Sequence, residues 1–274
     1  MDKRFRRLSL RSAALAVADL VMPRVCVVCG RKLILKEKHI CTACEADLPL
    51  THYSLLRDNP MAQSFNALIQ REIDVRDECH SEQREESAPE PFSYAAALIF
   101  YSSGSPYKNI PRALKYHRNF GAGRHFAAML GRELAASPLF ADVDLVVPVP
   151  LHAARRWSRG YNQAEIIAGE VTRTMAEARK APGPEMDARL LRRVRRTRTQ
   201  TRLGKDLRYA NVRTAFAAKA PAERPRHILL VDDVFTTGAT LCASERALRE
   251  ALDSAFGPEG GIRISAATLA CVGR

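Results

Sequence analysis

Asp232 and Asp233 follow an uninterrupted apolar run, Ile228 to Val231, and two residues later come Thr236, Thr237, Gly238, Ala239 and Thr240. The apolar run is the pattern of a parallel strand covered on both faces. Adjacent carboxylates are costly inside such a layer, so the pattern places them at its carboxyl edge, where open α/β sheets take ligands. Paired carboxylates suit a cis-diol. The segment that follows offers consecutive backbone N–H groups, a flexible glycine and three hydroxyls, just ahead of Leu241, Leu248 and Leu252, whose spacing is helical. Amides, hydroxyls and a helix N-terminus together favour a phosphate. The combination describes a site for a phosphorylated sugar; the plainer alternative is an Asp-rich turn that merely ends a strand.

A second group of chemistry-bearing residues is Cys26-Val-Val-Cys29, followed after eleven residues by Cys41-Thr-Ala-Cys44. Four thiolates in two such knuckles close a tetrahedron around zinc and leave no open position for substrate or water, which makes the ion structural. Gly30, just after the first pair, suits the turn of a short ribbon. Two disulfides or an iron ion held as in a rubredoxin are the alternative uses of the same four residues. His39 is near enough in sequence to substitute as a ligand, but four cysteines already fill the shell, so it reads as a surface residue. Cys79, Cys242 and Cys271 lack partner spacing and read as free thiols.

These residues need a scaffold, and 274 residues with 46% hydrophobic content can bury one substantial core with a small appendage. No stretch approaches the roughly 20 apolar residues of a membrane-spanning helix. Met1 to Met22 combines a basic start with an apolar run, but Arg11 and Asp19 interrupt it, so 1–22 reads as an amphipathic leader helix rather than a secretory signal. The ribbon is expected over 23–55. Residues 72–91 are polar and acidic and end in Pro89-Glu-Pro91, the composition of an exposed linker or insertion. Tyr94 to Tyr101 is a strand candidate. Pro111 to Gly121 and Ala122 to Ala136 are helix candidates broken around Gly121–Gly123, and Asp144 to Pro150 is a second buried strand stopped by its prolines. Past that stop come Arg155, Arg156 and Arg159. Their guanidinium forks match phosphate oxygens and are well placed to meet a pyrophosphate, or else they form a solvated basic face.

The order of these motifs carries a family resemblance. Residues 228–240 resemble the phosphoribosyl pyrophosphate (PRPP) signature of type I phosphoribosyltransferases. Together with Val147-Pro-Val-Pro-Leu-His152, Arg159-Gly-Tyr-Asn-Gln163, the Arg- and Thr-rich stretch from Arg196 to Arg202, Asn211-Val212 and Ala215-Phe216, they resemble the ComF family. This group, also called ComFC or GntX-like, joins an N-terminal zinc ribbon to a phosphoribosyltransferase domain. The resemblance runs from about Pro23 to the carboxyl end, with Tyr161 where relatives more often have Phe. It implies an α/β, Rossmann-like type I phosphoribosyltransferase fold over 92–274, with a mainly parallel sheet and flanking helices. It further implies that Asp232 and Asp233 hold the ribose hydroxyls as the catalytic pair and that Thr236, Thr237, Gly238, Ala239 and Thr240 cradle the 5′-phosphate. Mg2+ would accompany PRPP, with Arg155, Arg156, Arg159 and, as a further candidate, Lys115 meeting the pyrophosphate. A PRPP site implies the cytoplasm.

Net charge is +13, and Arg189 to Arg208 concentrates nine basic residues against one acidic. Such a stripe attracts phosphate backbones through a salt-sensitive, sequence-independent term, with Arg192, Arg193, Arg195 and Arg196 as candidate contacts. It equally fits the loop that covers PRPP in type I phosphoribosyltransferases. The resemblance links the chain to DNA uptake in natural competence, which implies single-stranded DNA and competence or DNA-processing proteins as partners. Two functions follow: a phosphoribosyltransferase whose acceptor the residues do not indicate, or a non-catalytic PRPP-sensing or nucleic-acid-binding adaptor on the same fold.

Overall fold

The computed structural model of the chain describes residues 23–79, 92–179, 182–194, 214–258 and 261–272. The leader expected at 1–22, residues 80–91 of the acidic segment, and Arg195 and Arg196 lie outside them. The strands are β1 (Ala95–Tyr101), β2 (Leu145–Pro148), β3 (Glu185–Met186), β4 (Leu191–Arg193), β5 (Phe216–Ala218), β6 (His227–Phe235) and β7 (Arg263–Val272). Five of them form one parallel sheet in the order β1-β7-β6-β2-β3, while β4 and β5 pair antiparallel on their own. The longer helices are α1 (Thr42–Ala46), α2 (Pro60–Cys79), α3 (Asn109–Tyr116), α4 (Phe120–Ala136), α5 (Ala153–Arg159), α6 (Gln163–Ala178) and α7 (Ala239–Phe256).

Alternate residues of β6 feed opposite layers. Ile228 and Leu230 pack with Phe65 of α2 and Leu248 of α7, whereas Leu229 and Val231 pack with Phe126 of α4 and Ile167 of α6. Both faces are therefore covered, as an all-parallel sheet requires. The free edge of β1 is closed as well: Thr51 N–H donates to Leu98 O at 3.1 Å and Phe100 N–H to Pro49 O at 2.8 Å, so the chain leaving the ribbon shields an edge that would otherwise template pairing.

Two local departures from the sequence pattern have clear causes. Residues 72–79, read as the start of the acidic segment, continue α2, because Phe65, Ile69 and Ile73 form a stripe at helical spacing against the sheet. The break between α3 and α4 falls at 117–119 rather than at the glycines, and the Asn119 side chain caps α4 by accepting from Ala122 N–H at 3.0 Å. Gly121 and Gly123 sit inside α4 because neighbours press on them: an added Cβ would lie 2.6 Å from His39 Cε1 and 2.8 Å from Leu114 Cδ1, respectively.

His39 is thus a packing residue between the ribbon and α4, with its ring 5.7 Å from that of His125. The ribbon also shares a core with the sheet domain, since Cys26, Val28, Leu33 and Ile40 are buried in the cluster that holds Phe126 and Leu130.

Candidate sugar-phosphate site and metal centre

The strand carrying the carboxylates is longer than its apolar run. β6 continues through Asp232 and Asp233 to Phe235 because β7 keeps pairing with it as far as Phe235↔Cys271. On the other side β2 stops: its last pair is Pro148↔Val231 and its last rung is Val149 N–H to Val231 O at 2.9 Å, after which Val149 O accepts from Asn162 Nδ2 and Asp233 N–H turns to Asp232 Oδ1, so no further rung forms. The carboxylates therefore lie where one flank of the sheet has opened. The two-residue period of a strand sends them to opposite sides.

Asp233 is 7% exposed and meets Lys115 of α3, whose Nζ lies 3.0 Å from Oδ1 and 2.8 Å from Oδ2. Burial works to lower the Lys115 pKa, but the charge and hydrogen bond of Asp233, with the charge of Asp232, together outweigh it, so the ammonium titrates above its ordinary value. Asp232 lies within electrostatic reach of Arg193, at the end of β4. Removal from water, then the neighbouring Asp233 charge, raises Asp232 to about 7, against the opposing pull of Lys115 and Arg193. Asp232 Oδ1 also accepts from Asp233 N–H at 2.8 Å.

The phosphate-loop candidates form the bend between β6 and the 18-residue helix α7. Gly238 caps the helix with φ 78°, and no side chain caps it. A Cβ on Gly238 would lie 2.8 Å from Phe235 Cζ and 2.9 Å from Leu68 Cδ1, so both backbone and packing demand glycine here. The start of a long helix, with Thr236, Thr237 and Thr240 at its approach, thus follows directly on the strand end that carries the carboxylates, an arrangement that favours an anion.

The three arginines past β2 separate into different roles. Arg155 lies close enough to Arg193 for their charges to repel; burial first, then Arg155, lowers the Arg193 pKa. Arg156 instead pairs with Glu165 of α6 at 3.3 Å. Arg159 lies over the Tyr116 ring, 5.6 Å from its centroid. Other residues of the flanking motifs brace this corner. His152 Nδ1 caps α5 by accepting from Ala154 N–H at 3.2 Å, Asn162 Nδ2 donates to Val149 O at 3.1 Å, and the Tyr161 hydroxyl donates to Leu114 O.

Two residues near the candidate site have no signal in the sequence that ties them to the carboxylates. Arg193, one of the candidate nucleic-acid contacts, is half-buried over Phe216, 5.2 Å from the ring centroid, and within electrostatic reach of Asp232, while Arg192 is exposed. The alternation of a strand separates these two adjacent arginines, but only once β4 is known to be a strand. Tyr101, at the end of β1, lies within electrostatic reach of Lys115 and Asp233; no spacing rule connects it to them.

The sulphur atoms of Cys26, Cys29, Cys41 and Cys44 all lie within 4.8 Å of one another, a set that can hold a metal ion. Tetrahedral zinc with bonds of about 2.3 Å needs sulphurs about 3.8 Å apart, and Cys29 and Cys41 are 3.8 Å apart. The short spacer closes around Glu37, whose buried carboxylate accepts from Ile34 N–H at 3.0 Å, Thr42 N–H at 2.8 Å and the Thr42 hydroxyl at 3.0 Å. Those donors hold the Glu37 pKa below its ordinary value.

A third constellation is not a site. Asp142 Oδ1, His227 and Ser265 Oγ are linked by two contacts of 2.7 Å, the order of a hydrolase relay. His227 and Ser265 have no exposed surface, and Ser265 Oγ already accepts from Tyr94 N–H at 3.0 Å. The group braces the edge of the sheet opposite the carboxylates. Among the described residues, no helix is long and apolar enough to cross a membrane.

No family model matches the chain. It aligns with the DNA utilization protein YhgH of Salmonella typhimurium at 25% identity over 237 residues, covering 81% of this chain and 89% of that protein. The protein of the same name from Escherichia coli is 26% identical over 241 residues, with coverages of 81% and 89%. Competence protein F of Haemophilus influenzae is 31% identical over 150 residues, 53% of this chain and 62% of the relative. The chain is thus a homologue of proteins named for DNA utilization and for competence, the kinship that its motif order implies.

Proposed function

We propose that this homologue of DNA utilization and competence proteins binds PRPP and acts as a phosphoribosyltransferase of the ComF type. The observation that carries the reading is the meeting of Asp232 and Asp233 with the Gly238-capped N-terminus of α7 at a single opened edge of the sheet. In this reading the ribose diol is held by the two carboxylates, and the 5′-phosphate takes the hydroxyls and N–H groups of 236–240. Lys115, Arg155 and Arg193 form a cationic wall for the pyrophosphate. As the bond from C1′ to the pyrophosphate oxygen lengthens, negative charge gathers on the leaving group, and cations already in place stabilise it without reorganisation. Magnesium, when bound with PRPP, would add positive charge to that of Lys115, Arg155 and Arg193. Zinc in the four-cysteine centre is structural, and dependence on PRPP assigns the protein to the cytoplasm.

The test is calorimetric titration of PRPP with magnesium into the wild type and the Asp232→Asn/Asp233→Asn double variant. Asparagine preserves shape and relieves the crowding that raises Asp232, so the variant is expected to fold and to lose binding. Equal affinity in both proteins sinks the assignment. The net charge of +13 and the names of the relatives favour a second reading, an adaptor that binds single-stranded DNA and DNA-processing proteins. DNA binding by a folded protein that does not take up PRPP at all is the result that would favour it.

A further inference from the structure

A phosphoribosyl transfer needs a second reactant, and the two carboxylates differ in what surrounds them. Asp232 is within electrostatic reach of Arg193, which has Arg155 near it. Asp233 instead has Lys115 and Tyr101. An in-line displacement needs its nucleophile and its leaving group on opposite sides of the carbon attacked. With the pyrophosphate against Arg155 and Arg193, the acceptor has to arrive from the side of Asp233.

That side holds a cavity of about 330 Å³, which reaches Tyr101, Lys115 and Val234, the residue next to Asp233. A larger cavity of about 610 Å³ shares Arg112 and Tyr116 with it but runs to Val25, Cys26 and Val27 of the ribbon, and neither Lys115 nor Val234 lines it. The smaller cavity is therefore the one within reach of a ribose held by the carboxylates.

Its lining selects a ligand class. No carboxylate lines it among the described residues, and Lys108, Arg112 and Lys115 do. Two of these cations are occupied: Lys115 is paired with Asp233, and Lys108 Nζ donates to Ser103 O. Arg112 is exposed and has no hydrogen bond or ion pair among the described residues. The Tyr101 hydroxyl, within electrostatic reach of Arg112, has no hydrogen bond among them either. Burial raises its pKa, so it keeps its proton and can donate. One open guanidinium fork and one hydroxyl match a single carboxylate, whose two oxygens the fork takes together. A phosphate dianion would leave charge uncompensated. Pro111, Val234 and the Tyr116 ring, with the Arg159 guanidinium 5.6 Å from its centroid, complete a wall suited to a planar ring.

We propose that this cavity is the acceptor site and that the acceptor is a small planar heteroaromatic carboxylate, with its carboxylate on Arg112 and Tyr101 and its ring against Tyr116. The inference rests on the proposed sugar-phosphate site, because the ribose held there supplies the carbon that is attacked. A ring nitrogen bonds to C1′ as the bond from C1′ to the pyrophosphate oxygen breaks. Pyrophosphate leaves with that electron pair, and the proton of a ring N–H passes to it.

The test is calorimetric titration of pyridine-3-carboxylate and uracil-6-carboxylate, each beside its carboxamide, into the full chain, with pyrophosphate release measured after PRPP and magnesium are added. At least one acid is expected to bind about tenfold or more tightly than its amide, and to release pyrophosphate where the amide does not. Arg112→Gln, a change at an exposed side chain, should erase that preference. Tyr101→Phe keeps the ring and should weaken the acid about tenfold. Neither change should move PRPP affinity by more than about twofold. Failure of both acids to bind, acid and amide binding alike, or binding of an acid with no release of pyrophosphate overturns the proposal. Loss of PRPP affinity in Arg112→Gln gives the cavity to the pyrophosphate and overturns it as well. Failure of the sugar-phosphate site reads differently: a chain that takes an acid through Arg112 but never binds PRPP removes that site and the acceptor role with it. PRPP binding without any preference for an acid removes the acceptor alone.

Discussion

Gly238 and Gly160 hold nearly the same backbone conformation, with φ, ψ of 78°, −9° and 79°, −4°, yet their surroundings differ. An alanine at Gly160 would find its nearest neighbour, Arg118 Nη2, at 3.6 Å, an ordinary contact. Its cost is therefore the left-handed backbone alone, about 1–2 kcal/mol. At Gly238 the same backbone term applies, and the new methyl would stand 2.8 Å from Phe235 Cζ and 2.9 Å from Leu68 Cδ1. Phe235 is buried and cannot simply swing into solvent. Overpacking of that kind adds about 1–3 kcal/mol, so Gly238→Ala should cost about 2–5 kcal/mol in total. The assay is equilibrium denaturation of both variants and the wild type, with the difference between the two alanines isolating the packing contribution. In a thermal scan of a domain near this size each kcal/mol corresponds to a shift of about 2–4 °C. On the proposed reading of the loop as a 5′-phosphate cradle, Gly238→Ala should also weaken PRPP binding, because relief of the clash displaces the loop that carries Thr236, Thr237 and Thr240. Equal destabilisation by the two alanines would refute the claim that Phe235 and Leu68 dictate glycine in the loop.

Two further outcomes concern parts distant from the carboxylates. Burial lowers the pKa of His227, against the pull of Asp142. The folded protein thus takes up this proton less readily than the unfolded chain, whose histidines titrate near about 6.5. Its contribution is complete above that pH and is lost as pH falls through it toward the lower folded value. Denaturation midpoints measured across this window should fall more steeply for the wild type than for His227→Gln, and identical slopes would count against the assignment. Removal of a metal ion held by the four cysteines, by a strong chelator under reducing conditions, should destabilise the sheet domain as well as the ribbon, because Cys26, Val28 and Ile40 share a core with Phe126 and Leu130. Metal content per chain and thermal midpoint are read together, and a reduced, fully folded sample with clearly less than one equivalent of any metal would contradict a structural ion.

What the sequence makes legible here is what short-range pattern encodes. Ile228 to Val231 is followed by acids and then by a Gly-centred turn, and that order suffices to place a strand, an edge and a helix start. The paired cysteines are likewise recognisable from spacing. The partners supplied by distant elements are not. Lys115 lies 118 residues from Asp233, and nothing local to either reveals that α3 ends where β6 opens. The glycines at 121 and 123 misplace the break between two helices for a related reason. Their cause is the close approach of His39 and Leu114, a tertiary demand that a sequence reading interprets as a local turn.

The helix on which these partners converge is too short to stand alone. Eight residues cannot sustain a helix in water, so α3 is placed by what it touches. Ile110, Ala113 and Leu114 anchor its inner face. Asn109 Nδ2 donates to Val28 O in the first cysteine knuckle at 3.1 Å, and just upstream the Tyr107 hydroxyl donates to Cys44 O at 3.2 Å beside the second. At the other end the Tyr161 hydroxyl donates to the carbonyls of Leu114 and Lys115, contacts that phenylalanine cannot make. Lys115 then reaches Asp233, while Arg112 and Tyr116 stand between two cavities that both of them line. The cysteine knuckles and the Lys115–Asp233 contact therefore share one positioning element, and the contacts that join them run along α3 without crossing the sheet.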